Sequence, residues 1–229
     1  MTQRSLPDRA VIFDLDGCLV DSEPLSIGAI IAEMAALGIP GATFEAIRDS
    51  FLGVSMRVIC DHVAEKLGVD CPPDFTDRVE RRLFESYRTG LRLIDGVEGL
   101  LDRLEGAGIP FAIATGGSIR RMTYTLDCAG LSDRFRDRAF SADQVARGKP
   151  APDIFLFAAA QLQVAPSACV VVEDSPLGVT GAVAAGARAV GFVGGSHLDG
   201  RQGPHAALLA EKGASPVLSD ISGVFGAIG

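Results

Sequence analysis

The sequence predicts an α/β protein: a doubly wound parallel sheet with a smaller helical unit inserted into it. Three observations carry that prediction. Short runs dense in β-branched residues, without strict alternation, recur along the chain, as in strands buried on both faces of a parallel sheet. Helix-like segments separate them, which is the order that right-handed crossovers require. Between residues 23 and 92 the alternation stops and only helical patterning is present.

In chain order, "AVIF" (10–13) is the first strand. Four helical segments follow: "LSIGAIIAEMAALG", "FEAIRDSFLG", "MRVICDHVAEKLG" and "DFTDRVERRLFESYRTG". The alternation resumes with a helix at 97–107, the strand "PFAIAT" (110–115) and helices at 118–129 and 152–162. The strand "CVVVED" (169–174), a helix at 176–186 and the strand "RAVGFV" (188–193) complete it. Pro152 and Pro176, each after a possible cap, mark helix starts, and Gly106, Gly108 and Gly186 stand where helices should stop. This divides the chain into a core of residues 1–22 and 93–229 and a helical insertion at 23–92. Within the insertion, "VERR" (79–82) reads as a solvated helix face, with a substrate-facing role as the other option. The glycine-rich "GFVGGSHLDGRQGPH" (191–205) has no functional reading from sequence.

Composition bounds the function. The 229 residues are 48% hydrophobic and 22% charged, an ordinary globular balance with a net charge of -8. So acidic a chain repels phosphate backbones, which argues against a nucleic-acid partner. Five scattered cysteines with no C-x-x-C form neither a zinc motif nor a disulfide framework, and they read as reduced residues of a cytoplasmic protein. Cys18 could instead be a nucleophile, but no neighbouring histidine in the sequence supports it. The start "MTQRSLPDRA" lacks the apolar segment of an export signal, and no run of about 18 apolar residues predicts a membrane span.

In an open parallel sheet, ligands bind beyond the carboxyl ends of the strands. The first strand ends in Asp14 and Asp16, and the second runs into Thr115, Gly116, Gly117 and Ser118. "RGKPAPD" then carries Lys149, and the next strand ends in Glu173, Asp174 and Ser175. Each stretch alone is weak, and four in this order on one rim fit phosphoryl transfer from a monoester. Asp14 would be a carboxylate nucleophile and Asp16 the general acid and base. A carboxylate approaches a phosphate dianion only if a cation cancels the repulsion, and Mg²⁺ suits oxygen ligands. Asp14 and Asp174 are the carboxylate ligands expected, with Glu173 a supporting or alternative one and the backbone carbonyl of Asp16 a fourth group. Thr115, the amides of Gly116 and Gly117, and Lys149 would hold the transferring oxygens. Plainer readings stand beside these: turn acids at Asp14 and Asp16, a helix cap at Thr115, a surface lysine at Lys149, a structural Glu173. Asp21, Ser22 and Glu23 divide evenly between capping the first inserted helix and serving the site.

"DLDGCLVDSEP", "ATGGS", "GKPAPDIF" and "VVEDSPLGV" resemble the four ordered motifs of the haloacid dehalogenase-like hydrolases. The resemblance covers essentially the whole chain and lies nearest the subgroup with a small helical cap after the first motif, which holds phosphatases and β-phosphoglucomutase. It implies a Rossmann-like core, a cap near residues 23–92, and Mg²⁺-dependent hydrolysis of a small phosphorylated metabolite through an aspartyl-phosphate. Asp14 matches the nucleophile, Asp16 the acid/base, Thr115 and Lys149 the phosphate contacts, and Glu173 and Asp174 the metal site. "FLGVSMR" (51–57) matches the cap loop that meets substrate in relatives, which makes Gly53, Ser55 and Arg57 specificity candidates. Two departures matter: Asp16 argues against dehalogenation, and Ser26 stands where the mutases carry a histidine. The alternatives are a phosphosugar mutase and a non-catalytic, receiver-like phospho-acceptor module, although the insertion and the D-x-D spacing argue against a receiver.

Overall fold

Strand β1 (Ala10–Phe13) lies in the middle of a six-stranded sheet and is wholly buried. The computed structural model describes residues 9–228. The other strands are β2 (Phe111–Thr115), β3 (Ala139–Ser141), β4 (Cys169–Glu173), β5 (Arg188–Phe192) and β6 (Val217–Leu218). Every pairing is parallel and the order is β3-β2-β1-β4-β5-β6. The sheet is built outward from β1 in both directions, so the strand order reverses between β1 and β4. A crevice opens at the carboxyl ends of strands at such a switch point.

The alternation of side chains along each strand divides the core in two. Val11, Phe13, Ile113 and Val172 point to one face, where they meet Leu100, Leu101 and Leu104 of α5 (Val97–Gly106) and Met122 and Leu126 of α6 (Ile119–Ala129). Ile12, Ala112 and Val171 point to the other, against Ile154 and Phe155 of α7 (Asp153–Gln161) and Val179 and Ala182 of α8 (Pro176–Ala184). Burial on both faces explains why these strands read as unbroken apolar runs.

The insertion forms four helices: α1 (Glu23–Ala36), α2 (Phe44–Phe51), α3 (Met56–Leu67) and α4 (Phe75–Gly90). They share a hydrophobic cluster of their own, with Ile27, Ile30, Met34, Ile47, Val63, Phe75, Val79 and Leu83. Glu33 of α1 is buried and accepts from Arg82 of α4 at 3.0 and 2.7 Å, with Arg78 3.2 Å away. The chain leaves and re-enters the core side by side: Asp21 N donates to Arg92 O at 2.9 Å and Ile94 N to Leu19 O at 3.0 Å.

Some local details differ from the sequence reading. Pro176 opens α8 behind a Ser175 cap, as expected, whereas Pro152 precedes α7, which begins at Asp153. "VERR" is solvated only in its second half, where Arg81 and Arg82 are exposed, while Val79 and Glu80 line a cavity shared with the core. Val79 is buried, Glu80 accepts from Ser118 Oγ at 2.9 Å, Arg82 holds Glu33, and Arg81 alone of the four makes no such contact. Strands β3 and β6 fall below the length at which an apolar run announces a strand. The stretch 191–205 is also less irregular than its glycines imply, because α9 (Gln202–Glu211) begins within it. A last short helix, α10 (Val224–Ala227), follows β6. Among the described residues no helix is long and apolar enough to cross a membrane.

Candidate active site

The site is assembled where β1 and β4 end. Asp14 continues β1 by one residue, its amide donating to Val172 O at 2.9 Å, so the pairing with β4 fixes its backbone. The chain then turns tightly. Leu19 and Val20 amides donate to Leu15 O, and Gly17, at φ +78°, donates to Val20 O at 2.8 Å. A side chain is strained at that φ, which is why glycine stands there.

Glu173 ends β4 beside Asp14, Asp174 follows it, and Ser175 caps α8. Asp14, Glu173 and Asp174 are all buried, and each offers a carboxylate oxygen within 4.8 Å of the others. Lys149 reaches in from the segment before α7 and its Nζ donates to both Asp14 Oδ1 and Glu173 Oε1. The other Glu173 oxygen accepts from the amide and the hydroxyl of Ser175 at 3.2 and 3.0 Å. Burial pushes Asp14 well above the usual carboxylate range; Lys149 opposes the shift and the neighbouring carboxylates add to it. Glu173 is raised in the same way, chiefly by burial against the pull of Lys149. Burial disfavours the Lys149 ammonium, but the charges of Asp14 and Glu173 outweigh it and hold its pKa above the ordinary lysine value.

Two of the three buried carboxylates share one ammonium, and Asp174 Oδ2, 3.2 Å from His197 Nε2, makes no hydrogen bond among the described residues. An uncompensated buried charge is costly, so this donor set fits a divalent cation with oxygen ligands.

Asp16 is outside that cluster. Its Oδ1 accepts from Ser22 Oγ at 2.5 Å and from Arg121 Nη2 of α6 at 2.8 Å. Ser22 occupies the cap position of α1 but its side chain caps nothing, and Asp21 Oδ1 accepts from Ser196 N at 3.1 Å. The capping role considered for Asp21–Glu23 is thus replaced by contacts to Asp16 and to the 191–205 stretch. Glu23, on the first turn of α1, faces the cavity and is pushed up to about 7, by burial first, with Arg121 opposing and Asp16 adding.

Thr115 ends β2, buried, and its Oγ1 accepts from Gly117 N at 3.1 Å. The cap of α6 is Ser118, which accepts from Arg121 N, so the plain capping role considered for Thr115 belongs to its neighbour. The Gly117 amide, expected to meet a ligand oxygen, is turned onto Thr115 instead. Cys18 is buried, and its thiol is pushed well up by burial and then by Asp174, a poor setting for a thiolate nucleophile.

One cavity of about 420 Å³ is lined by Asp14, Asp16, Thr115, Gly116, Gly117, Lys149 and Asp174 from the core. Gly53, Ser55 and Arg57 close it from the insertion, and Ser26 lines it as well. The turn carrying Gly53 lies so close to α8 that a Cβ there would stand 2.6 Å from Ser175 Cβ. Glu173 lies behind Lys149 and does not line the cavity. The sequence reading missed Arg121, whereas Glu80 lies in "VERR", whose second option, a substrate-facing role, agrees with its place in the cavity wall. Arg121 sits at a helical position whose polar character gives no signal in the sequence.

The model of the haloacid dehalogenase-like hydrolases matches residues 9–186. Hexitol phosphatase A of Escherichia coli K12 is 36% identical over 184 residues, 80% of this chain and 82% of that protein. A phosphorylated carbohydrates phosphatase of Thermotoga maritima is 33% identical over 193 residues, covering 84% and 88%. Among solved structures, a hydrolase of the same family from Deinococcus radiodurans R1, with bound phosphate and sodium, superposes with a TM-score of 0.74 at 35% identity, covering 98% of this chain and 96% of that one.

Proposed function

This chain belongs to the haloacid dehalogenase-like hydrolase family, and on that premise we propose that it is a Mg²⁺-dependent phosphatase of a small phosphorylated sugar, sugar acid or polyol. One observation carries the reading: Asp14, buried beside Asp174 and held by Lys149, opens into the same cavity as Asp16 and Thr115. The relatives named for hexitol and carbohydrate phosphates support the substrate class, as does a cavity of about 420 Å³.

In this reading Asp14 attacks phosphorus with its free carboxylate oxygen while Lys149 holds the other. The ester oxygen departs as Asp16 protonates it, leaving an aspartyl-phosphate on Asp14. Asp16 then takes a proton from the water that attacks this acyl phosphate, which releases inorganic phosphate and restores the Asp14 carboxylate and the protonated Asp16. Ser22 and Arg121 converge on Asp16 Oδ1 and leave its Oδ2 for these transfers. Thr115 Oγ1 and the Lys149 ammonium lie on the wall that receives the transferring oxygens. Asp14 and Asp174 would hold Mg²⁺, since both oxygens of Glu173 are already taken by Lys149 and Ser175. The ion supplies charge neutralisation between the nucleophile and the phosphate. Gly53, Ser55 and Arg57 face the leaving group from the insertion, which acts as a cap that excludes bulk water.

The test is phosphate release over a panel of phosphorylated sugars, sugar acids and polyols, with and without Mg²⁺, ranked by kcat/KM. Metal-dependent release that is abolished by Asp14→Asn is expected. Interconversion of sugar 1- and 6-phosphates without net release would overturn it, as would metal-independent turnover.

A further inference from the structure

The stretch 191–205 places two histidines on Asp174. His205, in the first turn of α9, brings Nε2 to 2.6 Å from the Asp174 carbonyl oxygen. His197 brings Nε2 to 3.2 Å from Asp174 Oδ2. Its side chain is wholly buried, and neither ring nitrogen has a hydrogen-bond partner among the described residues. A buried imidazole left without a partner is costly unless the group it faces accepts its proton, and Asp174 Oδ2 is likewise without one.

Both glycines beside this pair make room for it. A Cβ on Gly17 would collide with Asp174 Oδ2 and stand 3.0 Å from His197 Cε1. A Cβ on Gly195 would stand 2.7 Å from His197 Cε1 and from Nδ1. The backbone of His197 is also held in place: Arg48 of α2 donates to its carbonyl at 3.5 Å, and the Ser196 amide donates to Asp21 Oδ1 at 3.1 Å. The imidazole is thus fixed by the turn after β1, by α2 and by its own loop, and it is aimed at a single carboxylate.

We propose that His197 is a positioning residue for Asp174, donating from Nε2 to Oδ2 and thereby presenting the other carboxylate oxygen to the cation. This rests on the metal reading above. A ligating carboxylate is oriented by the donor behind it, and removing such a donor typically weakens metal affinity by about 10–100-fold. The role also accounts for the "GGSH" in a stretch whose sequence alone carried no function: the glycines admit the ring and the serine amide anchors it.

Two polar replacements of similar size separate this role from simple packing. The amide nitrogen of glutamine reaches the position of Nε2, whereas that of asparagine stops near Nδ1. Mg²⁺ affinity is measured by isothermal titration calorimetry on the metal-free full chain, alongside the metal-free melting temperature. His197→Asn is expected to weaken Mg²⁺ binding about tenfold or more, and His197→Gln to stay within about threefold of the wild type. Equal affinities in the two variants, or a glutamine variant as weak as asparagine, would overturn the assignment even if both melt alike. Should His197→Asn fail to fold, the glutamine variant decides: affinity near the wild type supports the role and a tenfold loss overturns it. A wild-type chain that binds no Mg²⁺ would instead overturn the metal reading itself, and this inference with it.

Discussion

Arg121 Nη2 donates to Asp16 Oδ1 at 2.8 Å, so a helix of the core holds the second aspartate of the first motif. The guanidinium is largely shielded from solvent, and although burial works against its charge, Asp16 first and then Tyr87 and Glu23 hold its pKa above the ordinary arginine value. A charge-assisted bond positions a carboxylate as well as stabilising it, which serves the acid and base role proposed above for Asp16. Arg121→Ala should lower kcat/KM by about 10–100-fold, corresponding to about 1.5–3 kcal/mol for a hydrogen bond to a charged group. Steady-state kinetics on a generic aryl phosphate checks this. An unchanged kcat/KM would mean that Ser22 alone sets the position of Asp16.

The raised carboxylates give the metal-free protein a definite pH dependence. Glu23 is pushed from an ordinary value of 4.5 up to about 7, so between those values the folded chain keeps a proton that the unfolded chain has released. Its contribution to stability is present at low pH and is lost as pH rises through about 7. Asp14 and Glu173 are shifted in the same direction and add to the slope. The melting temperature in EDTA should therefore fall from about pH 5 to about pH 8, and Glu23→Gln should flatten the fall. Mg²⁺ should raise the melting temperature more at the higher pH, because it competes with protons for Asp14, whose pKa is raised. A larger Mg²⁺ effect at the lower pH would contradict this account.

Gly178 lies in the first turn of α8, and a Cβ there would fall inside the Glu173 carboxylate. Gly178→Ala must displace either the helix or the glutamate that holds Lys149. Overpacking of this kind costs about 1–3 kcal/mol, which lowers the melting temperature by several degrees in a chain of this size. Activity should fall further than the stability loss explains, because Glu173 moves together with Lys149. Differential scanning calorimetry and kcat measured on the same preparation separate the two effects.

The residue types of the first strand, the second motif and the β4 acids were legible because they sit at strand ends, and Lys149 because it stands just ahead of a helix in "RGKPAPD". The inserted helices were legible from their periodicity, which their separate apolar cluster explains. What stayed hidden depends on packing between distant elements. Nothing near Arg121 in the sequence signals that it reaches Asp16, 105 positions away, and nothing near Glu80 signals a bond to Ser118. His197 was hidden for the same reason, because the carboxylate it faces, Asp174, lies just beyond the end of β4. The roles of Ser22 and Asp21 were ambiguous because a helix cap and a site contact use the same residue types, and only the direction of the side chain distinguishes them.

Lys149 joins the two halves of the acidic cluster, since its Nζ donates to Asp14 and to Glu173 together. Lys149→Met would keep the length of the side chain and remove the charge, leaving two buried carboxylates facing each other. Breaking a buried pair by removing one partner costs about 3–5 kcal/mol when the remaining charges stay ionised. Here they need not: Asp14 and Glu173 already have raised pKa values, and at low pH they escape the penalty by taking up protons. The variant should thus melt close to the wild type near about pH 5 and well below it near about pH 8, and Mg²⁺ should recover part of the deficit. Turnover should fall by about 100-fold or more at either pH, because the ammonium proposed to receive the transferring oxygens is gone. Lys149→Arg should not restore it, as a planar guanidinium cannot place one donor centre between two carboxylates that converge on a point charge. Equal destabilisation at both pH values would show that Lys149 serves packing against Phe155, whose ring centroid lies 5.3 Å from Nζ, more than it serves the charge balance of the site.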